Sequence, residues 1–297
     1  MKRKGLVISI AAGLLLCGSC QHWTKSDSKT ESGVEASADS VVDIKCVGDI
    51  PVPKDLVRDS VEPGSFGEYL RQLPLRAEGY RTHLYDGREK ANRNAAYRVV
   101  DMDIDSVDLQ QCADACIRLY AEYLWHNKEY GKIKFHFVSG FLADYQRWAH
   151  GERIRLNAAR TQAAWYRINS QEDYSYDTFR EYLLMVFTYA GTASLPQDLE
   201  VTTVGSNDTP LPINIGDVIV QPGSPGHAVI VVDKAGPMFI LAQSYMPAQE
   251  IEILRGQDGP WNSLVQEQES GRYYHLATPE WNFRINDNSW IMHFKNQ

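Results

Sequence analysis

Apolar residues divide the chain into three regimes. Leu6 to Leu16 is an apolar run of roughly eleven residues behind Lys2, Arg3 and Lys4. That is short of the about 20 residues a membrane span needs, and it fits the core of a secretory signal. Residues 21–62 are polar, rich in Ser, Thr, Lys, Asp and Glu up to Ser40, with Pro51, Pro53 and Pro63 extending the irregular character. From Phe66 onward aliphatic and aromatic residues become dense.

Periodicity in the dense region predicts the elements. Phe66 to Leu70 reads as a short helical turn, and Tyr97 to Ile104 alternates like a strand. Asp108 to Trp125 carries Leu109, Cys112, Ala113, Cys116, Tyr120, Tyr123 and Leu124 at helical spacing. Ile133 to Val138 is expected to be a strand, and Tyr176 to Tyr189 a helix closed by Gly191. Val218–Val220, His227–Val232 and Met238–Tyr245 read as strands, the last two joined by a turn at Lys234–Pro237, with Glu250–Leu254 a further one. Helices first and a meander later predict an α+β domain, with N-terminal helices packed on an antiparallel sheet.

Composition narrows the class. The chain of 297 residues is 43% hydrophobic and 11% aromatic, enough to build a core. Its formal charge is −8, and the leader carries three basic and no acidic residues, so the mature chain sits near −11. No basic cluster suits nucleic acid. Small residues precede Cys20 in Cys17-Gly18-Ser19-Cys20, so cleavage after Ser19 and lipidation of Cys20 are expected; an ordinary cleaved signal is the other reading. Gln21 in place of Asp favours outer-membrane sorting. The expected organisation is therefore a signal peptide over 1–19, a lipidated cysteine and flexible tether over 20–62, and one domain over 63–297. Of the five cysteines, Cys46, Cys112 and Cys116 remain after processing, an odd number.

Three residues are candidates for chemistry. Cys112 falls in the first turn of its helix if Asp108 is the cap, where unpaired amides and the helix dipole favour a thiolate; it is equally a position on an apolar stripe. His227 opens the most apolar strand, behind Pro222-Gly223-Ser224-Pro225-Gly226. Gln243 interrupts the returning strand, where counting along the hairpin sets His227 against Ser244 or, one residue slipped, Gln243. A side-chain carbonyl there would hold the imidazole, the orienting role in a Cys-His-polar triad. Gln111 is the candidate oxyanion donor. Asp101 to Asp105 imitates a calcium loop, but the required Gly is Ser106, so an acidic edge strand is expected. His83, His126, His136 and His150 lack paired ligand spacing, and no metal or cofactor is expected. Asp86, Glu122 and Asp144 have no evident carboxylate partner. Trp125, Trp148, Trp165, Trp261, Trp281 and Trp290 suit either a core or a sugar cleft.

The order Cys112, Gly216-Asp217-Val218-Ile219-Val220, then Gly226-His227-Ala228-Val229-Ile230 resembles papain-like peptidases of the NlpC/P60 and CHAP type. That resemblance implies a papain-like fold and cysteine amidase chemistry. It departs at the cysteine, where Gln111-Cys112-Ala113-Asp114 replaces the small residues usual there. Tyr69-Leu70-Arg71-Gln72-Leu73-Pro74-Leu75, Asp108 to Ala115, Tyr189-Ala190-Gly191-Thr192, Pro225 to Ile230 and Leu241 to Gln249 are similar to the DUF4846 family of Bacteroidetes lipoproteins. Two functions stay open: an envelope cysteine hydrolase acting on amide bonds such as peptidoglycan stem peptides, and a non-catalytic lipoprotein binding peptide or glycan.

Overall fold

A strand buried on both faces reads as a continuous apolar run, and Ala228 to Val232 is such a run. The computed structural model describes residues 43–168, 171–202, 211–267 and 273–295. The expected leader, Cys20 and the first part of the tether lie outside the described residues.

Among the described residues there are four α-helices: α1 (Phe66–Arg71), α2 (Cys112–His126), α3 (Tyr145–Ala149) and α4 (Tyr176–Tyr189). The strands are β1 (Ala96–Val99), β2 (Lys134–His136), β3 (Leu142–Asp144), β4 (Glu152–Leu156), β5 (Ala163–Arg167), β6 (Leu199–Val201), β7 (Val218–Gln221), β8 (His227–Ala235), β9 (Met238–Gln243), β10 (Glu252–Leu254), β11 (Trp261–Asn262), β12 (Val265–Gln266), β13 (Tyr274–Ala277), β14 (Asn282–Ile285) and β15 (Trp290–Phe294).

Among the described residues there are 15 strands in several antiparallel sheets and no helix longer than 15 residues, so this part of the protein is mostly β. This overturns the expected α+β class with N-terminal helices on a sheet in a papain-like arrangement. The expectation failed because β4 to β6 and β11 to β15 are each two to five residues long. Their alternation is too brief to stand out from loop sequence.

The central sheet runs β1-β10-β9-β8-β7-β15-β6, with β11 also paired to β9. Side chains on alternate sides of these strands enter two different cores. Val218, Val220, Ala228, Ile230, Val232, Ile240 and Ala242 face a large core that also holds the buried residues of α2 and α4. Ile219, Val229, Val231, Phe239 and Leu241 face a second core closed by Tyr274, Leu276, Phe283 and Ile285 from β13 and β14. Both faces of β8 are therefore dry.

α2 lies against β8 and is buried nearly all round, including Arg118 and Glu122. Arg118 donates to Gln110 and Glu122, and Glu122 accepts from Tyr176, so these charges are paired within the core. The helix starts one turn later than expected. Gln111, not Asp108, is the cap residue, and its amide donates to the Asp114 carboxylate at 3.0 Å. Cys112 is thus the first residue of the helix. No helix among the described residues is long and apolar enough to cross a membrane.

Residues 43–62, which polarity placed in the tether, are packed into this unit. Val47 and Ile50 are buried, Arg58 and Arg71 pair with buried Asp233, and the Trp261 indole donates to the Pro51 carbonyl at 2.9 Å. The acidic stretch after Val100 is coil rather than an edge strand, with Asp103 and Asp105 pairing with Arg118 and Arg180.

Candidate functional site

A cleft of about 500 Å³ opens across the start of β8. It is walled by the first turn of α2, the Gly191–Thr192 loop after α4, the loop 223–226, Tyr245–Met246 and Trp281. Cys112 and His227 both line it, and Gln111 and Asp114 complete the helix side. A groove of about 550 Å³ along β4 and β5 has no cysteine, histidine or carboxylate in its lining.

The loop before His227 is held by close backbone packing. A Cβ on Gly226 would sit 2.4 Å from both the Gly223 carbonyl and the Thr192 hydroxyl, so only glycine fits. Thr192 donates to the Gly223 carbonyl at 3.0 Å, tying the α4 loop to the β8 loop.

The hairpin turn is tighter than expected, two residues at Gly236–Pro237, with a bulge between Val231 and Asp233. The last paired residues of β8 and β9 are Ile230 and Ala242. His227 and Gln243 therefore meet as diagonal neighbours on the second-core side. Their contact is a hydrogen bond of 2.8 Å between His227 Nε2 and Gln243 Oε1. Tyr245, Trp281 and Phe283 surround the imidazole with ring centroids 5.1 to 5.8 Å away.

Cys112 approaches from the α2 side. The residue is partly exposed and lines the cleft. The amides of Ala113 and Ala228 face the thiol and favour its ionised form, which places the sulfur beside the residue that follows His227. No hydrogen bond joins thiol and imidazole.

Burial decides the charge state of both groups. It pushes the Cys112 thiol up to about 11, with Asp114 adding to the rise. It holds His227 down at about 4, against the opposing pull of Gln243 and Glu280. The helix start was expected to favour a thiolate, but desolvation outweighs the amides there. At neutral pH the two are a neutral thiol and a neutral imidazole. Burial also raises Asp114 to about 8, and its Oδ1 is buried without a partner. The Gln111 side chain lines the cleft and donates to Asp108 at 3.3 Å.

A model of the family described as Domain of unknown function (4846), DUF4846, matches residues 48–289. The chain belongs to the DUF4846 family. No curated protein and no solved structure matches it.

Every residue of the cleft lies within the DUF4846 segment. Of the other candidates, Trp281 alone among the tryptophans lines the cleft; Trp148 and Trp261 are buried elsewhere. Asp86 pairs with Arg88, and Asp144 caps α3. His136 pairs with Asp198, and His83 with Glu250, away from the cleft. Among the described residues no three metal-ligating side chains are grouped.

The sequence reading missed the residues behind Gln243. Its Nε2 donates to Glu280 Oε2 at 2.8 Å and to Glu252 Oε1 at 3.1 Å, and Lys90 bridges the same two carboxylates. These groups come from three distant segments, so no local spacing could have revealed them. Glu252 does carry a local signal, a charge within the apolar strand Ile251-Glu252-Ile253-Leu254.

Proposed function

We propose that this DUF4846 protein is an exported, lipid-anchored cysteine hydrolase or acyl-transferase acting on amide bonds in the cell envelope. One observation carries the reading: an imidazole oriented by a side-chain amide shares a cleft with a cysteine at a helix start. Its Nε2 is engaged by Gln243, which leaves Nδ1 as the ring nitrogen for the cleft.

In this mechanism His227 Nδ1 takes the Cys112 thiol proton as the sulfur attacks the substrate carbonyl carbon. The amides of Cys112 and Ala113, first in the helix and without intrahelical partners, receive the developing oxyanion, with Gln111 flanking them. The imidazolium then protonates the leaving amine, and a thioester remains on Cys112. Water, deprotonated by His227, hydrolyses the thioester to the free acid and restores the thiol.

The ion pair is not the resting state. A gap between about 11 and about 4 makes proton transfer in the empty cleft cost on the order of 9 kcal/mol before the attraction of the two charges is counted. Transfer therefore accompanies attack. The order of motifs around Cys112 and His227 resembles NlpC/P60 and CHAP peptidases, which supports the chemistry and makes peptidoglycan stem peptides the proposed substrate class. The leader, the Cys17-Gly18-Ser19-Cys20 segment and Gln21 support export and a lipid on Cys20 in the outer membrane, in the manner of a Bacteroidetes lipoprotein.

The same neutral pair, with Tyr245, Trp281 and Phe187 in the walls, favours a second reading: a non-catalytic site for a peptide or glycan. An acyl probe separates the two. Purified protein is treated with p-nitrophenyl acetate and, separately, with a muropeptide digest. Hydrolase chemistry predicts an acetyl group on Cys112 by mass spectrometry, formed at least tenfold more slowly in His227→Ala, and cleavage of a muropeptide amide. Muropeptide binding with no acetylation and no cleavage establishes the second reading.

A further inference from the structure

The amide of a glutamine has two ends of opposite hydrogen-bonding character, and their assignment must come from the partners. Gln243 is set between an imidazole and two carboxylates, and the carboxylates decide it. Glu252 Oε1 meets Lys90 and Gln243, while its Oε2 accepts from Thr82 at 2.9 Å. Glu280 Oε2 meets Lys90 and Gln243, while its Oε1 accepts from Asn92 at 3.2 Å. All four carboxylate oxygens are acceptors with a donor in place. The Gln243 end that faces them has to be the NH₂ group.

The rest follows in order. The carbonyl end of Gln243 faces His227, and a carbonyl only accepts, so His227 Nε2 carries the proton. A neutral imidazole with a proton on Nε2 has its lone pair on Nδ1. We propose that Lys90, Glu252 and Glu280 are positioning residues which, acting through Gln243, fix His227 in the Nε2–H form and so hold Nδ1 as the proton acceptor of the cleft. The proposal deepens the hydrolase reading, since a base at Nδ1 matters only if the cleft does chemistry; the tautomer itself does not depend on that reading.

Lys90 has its own part. Two carboxylates meeting at one amide repel each other, and burial raises Glu252 toward its neutral form. A protonated glutamate would offer a donor to Gln243 and allow the amide to turn over. The Lys90 ammonium, bridging the two carboxylates, opposes that rise at Glu252 and so holds the amide in one orientation. It also lies 5.4 Å from the centre of the Tyr245 ring, which is packed edge-on to His227, so charge cluster and imidazole share one wall. With a neutral imidazole the cluster carries a net charge of one negative unit, which favours the imidazolium formed during proton transfer.

The test is the nitrogen spectrum of the imidazole. Protein labelled with ¹⁵N-histidine is examined at pH 7, with His227 assigned by comparison with His227→Gln. The expected result is a single tautomer with the proton on Nε2. In Glu280→Gln, and in Glu252→Gln, the carboxamide that replaces the carboxylate can present either end to Gln243, and a minor Nδ1–H population is expected. Glu280→Asp should restore the single form. Glu280 lies at the rim of the cluster, so Glu280→Gln remains decisive if Glu252→Gln does not fold. A wild-type spectrum with the proton on Nδ1, or an unchanged single tautomer in folded Glu280→Gln, overturns the proposal. If the tautomer shifts as expected while p-nitrophenyl acetate leaves Cys112 unmodified, the positioning role stands and the hydrolase reading falls.

Discussion

His227 and Gln243 are joined by a 2.8 Å hydrogen bond made diagonally across a hairpin, not between directly opposed residues. Replacing Gln243 with Leu removes that bond and leaves two buried carboxylates each short of a donor. Unsatisfied buried groups of this kind cost about 1–3 kcal/mol apiece, so a loss of about 2–4 kcal/mol is expected in chemical denaturation. Acetylation of Cys112 should fall at least tenfold in the folded variant. A stability change below about 0.5 kcal/mol would show that the carboxylates find other donors.

Alkylation of Cys112 reports its ionisation directly. With the thiol raised to about 11, the rate with iodoacetamide should climb about tenfold per pH unit from neutrality to beyond pH 10. No plateau is expected near pH 7. Peptide mass spectrometry separates Cys112 from Cys46, and Cys116, which is fully buried, should remain unlabelled until denaturation. A rate plateau below pH 8 would mean a thiolate–imidazolium pair already exists in the empty cleft.

The long elements were legible because their pattern is local. Tyr176 to Tyr189 is the helix the aromatic spacing indicated, and β8 begins at His227 as the apolar run suggested. Cys112 was placed at a helix start although the cap was assigned to Asp108, since the apolar stripe fixes a helix better than its first residue. The class was misread because the C-terminal strands are short, and because β8 is dry on both faces and signals no sheet partner. The His227–Gln243 pairing was reached with the wrong register: the turn is two residues shorter than drawn, and the bulge between Val231 and Asp233 takes back one of those two steps. Lys90, Glu252 and Glu280 were out of reach, since only folding brings them to one amide. The charge of the cysteine was misjudged because a sequence shows a helix dipole but not the burial that opposes it.

Gly226 is fixed by crowding. Its substitution by Ala places a methyl within 2.8 Å of three oxygens, the carbonyls of Gly223 and Gln221 and the hydroxyl of Thr192. Two of the three are backbone and cannot turn aside, so the loop before His227 must move. A cost of about 3 kcal/mol is expected, seen as a fall in melting temperature of roughly 5–10 °C for a domain of this size. Adding Thr192→Ala relieves one contact only and should recover less than half the loss. Recovery to the wild-type melting temperature would place the strain at Thr192 alone.

Asp114 and His227 shift in opposite senses, and their effects on stability separate by pH. Asp114 is raised from 3.8 to about 8 by burial. The unfolded chain therefore gives up this proton first, and the stability its neutral form provides is complete below pH 3.8 and is lost as pH rises toward 8. His227 is lowered from 6.5 to about 4. The unfolded chain binds that proton first, so its contribution is complete above pH 6.5 and is lost as pH falls toward 4. Between pH 4 and 6.5 the two slopes oppose each other; above 6.5 that of Asp114 remains, together with the end of a like-signed one from Asp217, raised to about 7. Asp114→Asn keeps an acceptor for the Gln111 amide and removes the titration. Relative to wild type it should gain stability steadily from pH 5 to pH 8, by on the order of 4 kcal/mol at the alkaline end. Urea denaturation at pH 5, 6.5 and 8 measures it, and a constant difference across that range would mean that Asp114 is already ionised in the folded protein.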